Sequence, residues 1–237
     1  MTDEHDTMRK RFPDMSVRDR ARYGLTLALA ASLVVWLLAG PEASDRLYLI
    51  IANLLAGGLL VASSWSARVD GHRRWAAYGG LVLLLLMAVA IFTGVDRTAN
   101  FLSALVLLVV CIYVPYIVAI GLARRRRVDA QIVMGAITIY LVIGLASAMT
   151  MLVAGSLQSD PMLRLSGGDG DGSFRDIVYF SFVTMATVGY GDITPISGTA
   201  RAIAILTALL GQLYLIVAVT TAVSMFASVR ATRRHEQ

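Results

Sequence analysis

Six stretches of this chain run for roughly 20 residues without a charged side chain, and that spacing constrains the fold before anything else. They fall at about 23–40, 47–66, 76–95, 100–123, 130–154 and 202–228. A helix crossing the hydrocarbon core of a bilayer needs about 20 mostly apolar residues, so the pattern predicts six spans. A seventh uncharged stretch, 177–191, is shorter and ends in glycines. Its length fits a re-entrant segment, whose backbone must be buried in protein or line water. Composition agrees: 57% of residues are hydrophobic and 16% charged, against about 25% charged in a soluble domain. This balance argues against a soluble enzyme, a disordered tail or a nucleic-acid module. The single cysteine, Cys111, excludes a disulfide within the chain, and His5, His72 and His235 are scattered, without the spacing of metal ligands.

Charge gives the orientation, because short cytoplasmic loops carry the excess of Lys and Arg. Arg9, Lys10, Arg11, Arg18, Arg20 and Arg22 precede the first span. Arg68, Arg73 and Arg74 follow the second, Arg124, Arg125, Arg126 and Arg127 the fourth, and Arg230, Arg233 and Arg234 the last. Only Arg46, Arg97, Arg164, Arg175 and Arg201 fall on the opposite side. Both termini are therefore expected in the cytoplasm, and the net charge of +5 is mostly topogenic. The first span, long and preceded by a polar segment, does not read as a cleavable signal peptide. Trp36, Trp65 and Trp75 lie near span ends as interfacial anchors. Arginine outnumbers lysine twenty to one, a bias of GC-rich bacterial genomes, so the expected location is the plasma membrane, the inner membrane of a bacterium.

The chemistry concentrates in residues 184–192, Thr-Met-Ala-Thr-Val-Gly-Tyr-Gly-Asp. At about 5% usage per residue type, a given six-residue string arises by chance in fewer than about one chain in 10⁵ of this length. Thr187-Val188-Gly189-Tyr190-Gly191-Asp192 resembles the selectivity filter of potassium channels. The resemblance implies that the carbonyls of Thr187, Val188, Gly189 and Tyr190, with the Thr187 hydroxyl, replace the hydration shell of K+. Rings of carbonyls form only if successive peptides point the same way, which needs unusual dihedrals that Gly189 and Gly191 adopt without steric cost. Val188 and Tyr190 are then expected to turn away from the axis and brace the loop. One chain supplies one loop, so the resemblance implies a homotetramer. No cofactor is expected beyond permeant K+, and no nucleic-acid partner.

Upstream, Ser173-Phe174-Arg175-Asp176 has the pattern of a capping box and predicts a helix from about 174 to 186. Its C-terminal dipole would favour a cation in the cavity. Asp192 stands at the outer mouth, where it either raises local cation concentration or caps the loop. Many relatives carry two tryptophans where this chain has Tyr179 and Phe180. Tyr179 keeps a hydroxyl for Asp192, but Phe180 has no donor for Tyr190, so a filter prone to inactivation is expected. In the last span, Gly211 is either a flexible hinge, as its position relative to the family's inner helix implies, or a site of close helix packing. Gln212 faces the cavity or a neighbouring helix. Leu215, Val219 and Val223 recur every four residues, as an apolar gate or as ordinary packing.

Four helices ahead of a two-helix pore resemble the layout of voltage-gated potassium channels. A voltage sensor needs several charges, each worth about 2.3 kcal/mol per 100 mV, and residues 98–123 contain none. The layout is present without the sensor. Arg124–Arg127 either anchor the topology or contact anionic lipid near the pore. Pro115 predicts a bent fourth span, or a break after which 116–123 lie along the interface as a linker. Residues 155–173 are expected to form a flexible outer loop; Asp169 and Asp171 do not complete a calcium-loop pattern. From the short tail, no fused ligand-binding domain is expected.

The fold expected is thus an all-α membrane protein, six spans with a re-entrant pore helix and filter loop, assembled as a tetramer. Residues 1–22 form a cytoplasmic segment, 23–127 a four-helix membrane domain, 128–229 the pore domain and 230–237 a short tail. The expected function is passive, potassium-selective conduction without a charged sensor helix. The alternatives are a weakly selective cation channel, which the intact Gly-Tyr-Gly disfavours, and a transporter-associated or non-conducting membrane subunit.

Overall fold

The computed structural model describes residues 17–39, 46–66, 79, 96–123, 130–158, 160–166 and 172–235. The apolar run 76–95, apart from Gly79, and Arg124–Arg127 lie outside the described residues. Six helices are numbered here: α1 (Val17–Ala39), α2 (Arg46–Ser66), α3 (Asp96–Ala123), α4 (Ala130–Ser156), α5 (Phe174–Met185) and α6 (Gly198–His235). Two short strands, β1 (Leu163–Leu165) and β2 (Ile193–Pro195), complete the order, β1 before α5 and β2 after it.

The helices form because the runs are apolar and a backbone in hydrocarbon must satisfy its own polar groups. Several hydroxyls inside them follow the same rule and return to their own backbone. Ser63 and Ser64 both donate to the Leu60 carbonyl at 2.9 Å, and Thr138 to that of Met134 at 2.8 Å. Among the described residues, Ala104–Ala123, Gln131–Ser156 and Gly198–Thr221 are long and apolar enough to cross a membrane, while Tyr23–Leu38 and Ile51–Trp65 are shorter apolar helices.

α4 is the centre of the packing. α1, α3, α5 and α6 all lie against it, α2 joins α1 to α3, and α1 also touches α5. Of the N-terminal helices, α1 and α3 therefore rest directly on α4 of their own chain. Leu33, Leu37, Leu59, Val114, Val142, Leu145 and Met149 form the buried centre of this arrangement.

Two expectations change. Pro115 does not end the fourth span: α3 continues through it to Ala123, with Ile117 and Val118 fully buried, so 116–123 belong to the span and not to an interfacial linker. Burial of that last turn outweighs the single helix hydrogen bond lost at proline. In an otherwise all-helical fold, the outer loop is not wholly irregular. β1 pairs antiparallel with β2, Leu163 opposite Pro195 and Leu165 opposite Ile193. α6 is continuous from Gly198 to His235.

Candidate functional site

The site begins at the N-terminus of α5, where the capping box forms. The Asp176 carboxylate accepts from the Ser173 N–H at 2.7 Å, and the Ser173 hydroxyl accepts from the Asp176 N–H at 3.4 Å. Together they satisfy amides that have no partner within the helix. At the other end the chain leaves the helix by a tight set of bonds. The N–H groups of Ala186, Thr187 and Val188 donate to the carbonyls of Phe182, Thr184 and Val183, at 2.9, 3.0 and 3.0 Å. The first residues of the loop are thereby anchored to the last turn of the helix.

Beyond that anchor, φ is +57° at Thr187, +58° at Gly189 and +83° at Gly191, while Val188 and Tyr190 stay out of the positive region. The sign of φ thus alternates residue by residue through 187–191. In an ordinary strand successive carbonyls point to opposite sides. Alternating handedness cancels that reversal, so such a chain turns its carbonyls to one side. The two glycines adopt positive φ freely. Thr187 does not: a β-branched residue there is a genuine outlier, at a cost of about 1–2 kcal/mol. It is the single non-glycine residue with positive φ among the described residues, and strain of that kind gathers at functional sites. The motif announced glycine conformations; the strained threonine was not foreseen.

The outer end of the loop is held from two sides. The Tyr179 hydroxyl donates to Asp192 Oδ2 at 2.9 Å, and its ring stacks on that of Tyr190, centroids 6.5 Å apart and 5° from parallel. The hydrogen bond to Asp192 raises the Tyr179 phenol above its usual pKa, so it remains the donor at neutral pH. From the other side, the Ser166 N–H and hydroxyl donate to the Asp192 carbonyl at 2.9 and 3.0 Å. The ribbon of β1 and β2 continues this tie away from the loop. Ser166 carries no signal in sequence, because only the pairing of distant strands brings it there. Tyr179 makes both contacts with the outer end, while Phe180 is packed in the core at 6% exposure.

Val188 and Tyr190 are 50% and 71% exposed in the single chain. Gln212, Leu215 and Val219 are exposed along α6, and Val223 continues their spacing on the same helix, its side chain outside the described residues. Of the apolar window of α6, 17% is buried, against 44% of that of α4, so the inner helix presents most of its surface unpartnered.

Gly211 lies against the end of the pore helix. A Cβ added there would sit 2.5 Å from Met185 Cγ and 2.7 Å from the Met185 carbonyl oxygen. On α4, Gly144 makes the matching approach, its Cβ position 2.6 Å from Phe182 Cε1 and 3.1 Å from Met185 Cε. The last turn of α5 is wedged between two glycines, and Gly211 is a close-packing position within a continuous helix. Gly144 was not singled out by sequence, since glycine is common in membrane helices. On either side of Gly211, α6 is tied to α4. Ser147 and Thr207 share a hydroxyl–hydroxyl bond, and the Tyr214 hydroxyl donates to the Ala136 carbonyl at 2.7 Å. Among the described residues no group of three His, Cys, Asp or Glu comes together as a metal site.

Residues 136–228 match the family model described as an ion channel. No curated protein and no solved structure matches the chain. The matched stretch takes in most of α4, the loop and ribbon around α5, and α6 as far as 228. This part of the chain is similar to ion-channel domains, and three described helices are long and apolar enough to cross a membrane.

Proposed function

We propose that this chain is the subunit of a homotetrameric potassium channel that conducts K+ passively across the plasma membrane, with both termini in the cytoplasm. The observation that carries the reading is the alternation of φ through Thr187–Gly191 inside the ion-channel match. Four such loops around an axis would present stacked rings of oxygens from Thr187, Val188, Gly189 and Tyr190. A permeating ion exchanges its hydration shell for them, binding well enough to enter and weakly enough, over several sites, to leave. Asp192 lies at the outer mouth, and the C-terminus of α5 faces the inner one.

The tetramer is supported by surface left uncovered in one chain: the exposed Val188 and Tyr190 and the mostly unpartnered inner helix. Contiguous apolar surface of that extent marks an interface with protein or lipid, and a ring of carbonyls needs rotational symmetry. Six spans follow if the two shorter apolar helices and the run 76–95 also cross. Gln212, Leu215, Val219 and Val223 would then line the cavity. With no charge in 98–123, opening does not depend on a charged helix moving in the field. Arg124–Arg127 are assigned to anionic lipid at the cytoplasmic surface.

Reversal potentials in planar bilayers, with potassium and sodium on opposite sides, test this reading. A potassium-selective pore follows the potassium gradient, about 59 mV per tenfold. A reversal near zero would mean a weakly selective cation channel, and no potassium flux at all would overturn the assignment.

A further inference from the structure

Between α3, α4 and α6 lies a cavity of about 320 Å³, lined by Cys111 and Pro115 on α3, Ala146 and Ser147 on α4, and Thr207 and Leu210 on α6. All three walls belong to segments long and apolar enough to cross a membrane. No charged side chain lines the cavity. Its hydroxyls are already committed. Thr150 donates to the Ala146 carbonyl at 2.8 Å and Thr207 to that of Ile203 at 2.7 Å, which leaves the Ser147 proton for Thr207. The rest of the lining is apolar, Ile112, Ile143, Ile203, Leu206 and Leu210 among it. The cavity is therefore suited to an apolar occupant. It is also open: Ile112 and Leu206, which line it, are 62% and 58% exposed. Wall atoms facing a void forfeit their dispersion contacts on that side, and at this depth the medium able to restore them is hydrocarbon.

We propose that the cavity takes one acyl chain of a membrane lipid, entering sideways from the bilayer. This rests on the reading that α3, α4 and α6 span the membrane. The occupant is selected by its tail and not its headgroup, which separates this site from any anionic-lipid contact at Arg124–Arg127. Its position gives it a route to the filter. Leu210 precedes Gly211 and Ile143, also in the lining, precedes Gly144, the two glycines that grip the end of α5. A chain in the cavity holds α3 against that assembly, so tail length and unsaturation set how firmly the pore helix is clamped.

The full-length protein is reconstituted in phosphatidylcholine vesicles whose acyl chains carry a mid-chain diazirine, irradiated, and mapped by peptide mass spectrometry. Exposed positions on the same helices, Val109, Tyr116 and Leu209, report simple contact with lipid. Cys111 and Thr207, buried behind the mouth, report entry. The expected result is labelling at both sets in the wild type. Ala146→Phe, which fills the cavity, should lose the inner adducts and keep the outer ones. Should that variant not fold, Leu206→Trp at the mouth should do the same. Outer labelling with silent inner positions in the wild type, as when a neighbouring copy fills the space, overturns the proposal. So do inner adducts that persist in the filled variants. Silence at Val109, Tyr116 and Leu209 as well would overturn the membrane-spanning reading instead.

Discussion

Gly211→Ala would place a methyl carbon 2.7 Å from the Met185 carbonyl oxygen and 2.5 Å from Met185 Cγ. Ordinary contact begins at 3.4 Å, so the approach of α6 to the end of α5 must open by about 0.7 Å. The Met185 side chain cannot simply swing aside, because it is 1% exposed and its Cε already lies against Gly144. Its carbonyl is backbone and moves only with the helix end. Overpacking of this kind costs about 1–3 kcal/mol. The displacement falls two residues before Thr187, whose left-handed backbone is itself held at a cost. Functional constellations tolerate about 0.5 Å of misplacement, less than the shift required. We expect the variant to assemble, to melt about 2–12 °C lower, and to lose K+/Na+ discrimination along with most of its K+ flux in liposomes. A hinge role predicts a different signature, namely wild-type selectivity with altered open probability. Met185→Ala should not rescue Gly211→Ala, since it removes Cγ and leaves the carbonyl. Wild-type melting, flux and selectivity in Gly211→Ala would refute the reasoning, because a contact this tight could not then exist.

Tyr179→Phe removes the donor to Asp192 while keeping the stacked ring; we expect unchanged conductance and faster decay of current under sustained voltage. Equal decay in variant and wild type would show that this bond does not brace the filter, and a wild-type current without decay over many seconds would count against an under-braced filter altogether. Tyr214→Phe deletes the bond to the Ala136 carbonyl, at about 0.5–1.5 kcal/mol, and is expected to shift open probability in single-channel records without touching selectivity. Open probability should be flat with voltage apart from driving force, since no charge lies in 98–123; steep activation would contradict it. Replacing Arg124–Arg127 with glutamine should lower open probability in anionic bilayers and leave it unchanged in neutral ones, and identical behaviour in both would remove the anionic-lipid contact.

Local features were legible because they depend on neighbours along the chain. The apolar runs among the described residues appear as helices, and the Ser173–Asp176 box starts α5 where the pattern put it, since caps involve residues three apart. The string at 187–192 gave both glycine conformations for the same reason. Pro115 misled in one of its two readings: propensity speaks of one lost hydrogen bond, while the burial of Ile117 and Val118 belongs to packing against other helices. Leu163–Leu165 is too short to show a strand period, and its partner lies thirty residues away.

By itself, then, the sequence determined the apolar runs that become helices and the glycine conformations of the loop, because hydropathy and dihedral preference are carried residue by residue. The tertiary structure decided what holds the loop in place: the strain at Thr187, the tie of Asp192 to Tyr179 and Ser166, and the wedge of Met185 between Gly144 and Gly211. It also decided that three helices leave an apolar hollow beside that wedge. These are close approaches between segments far apart in the chain. Their energies depend on tenths of an ångström between backbones, a quantity that no pattern of residue types records.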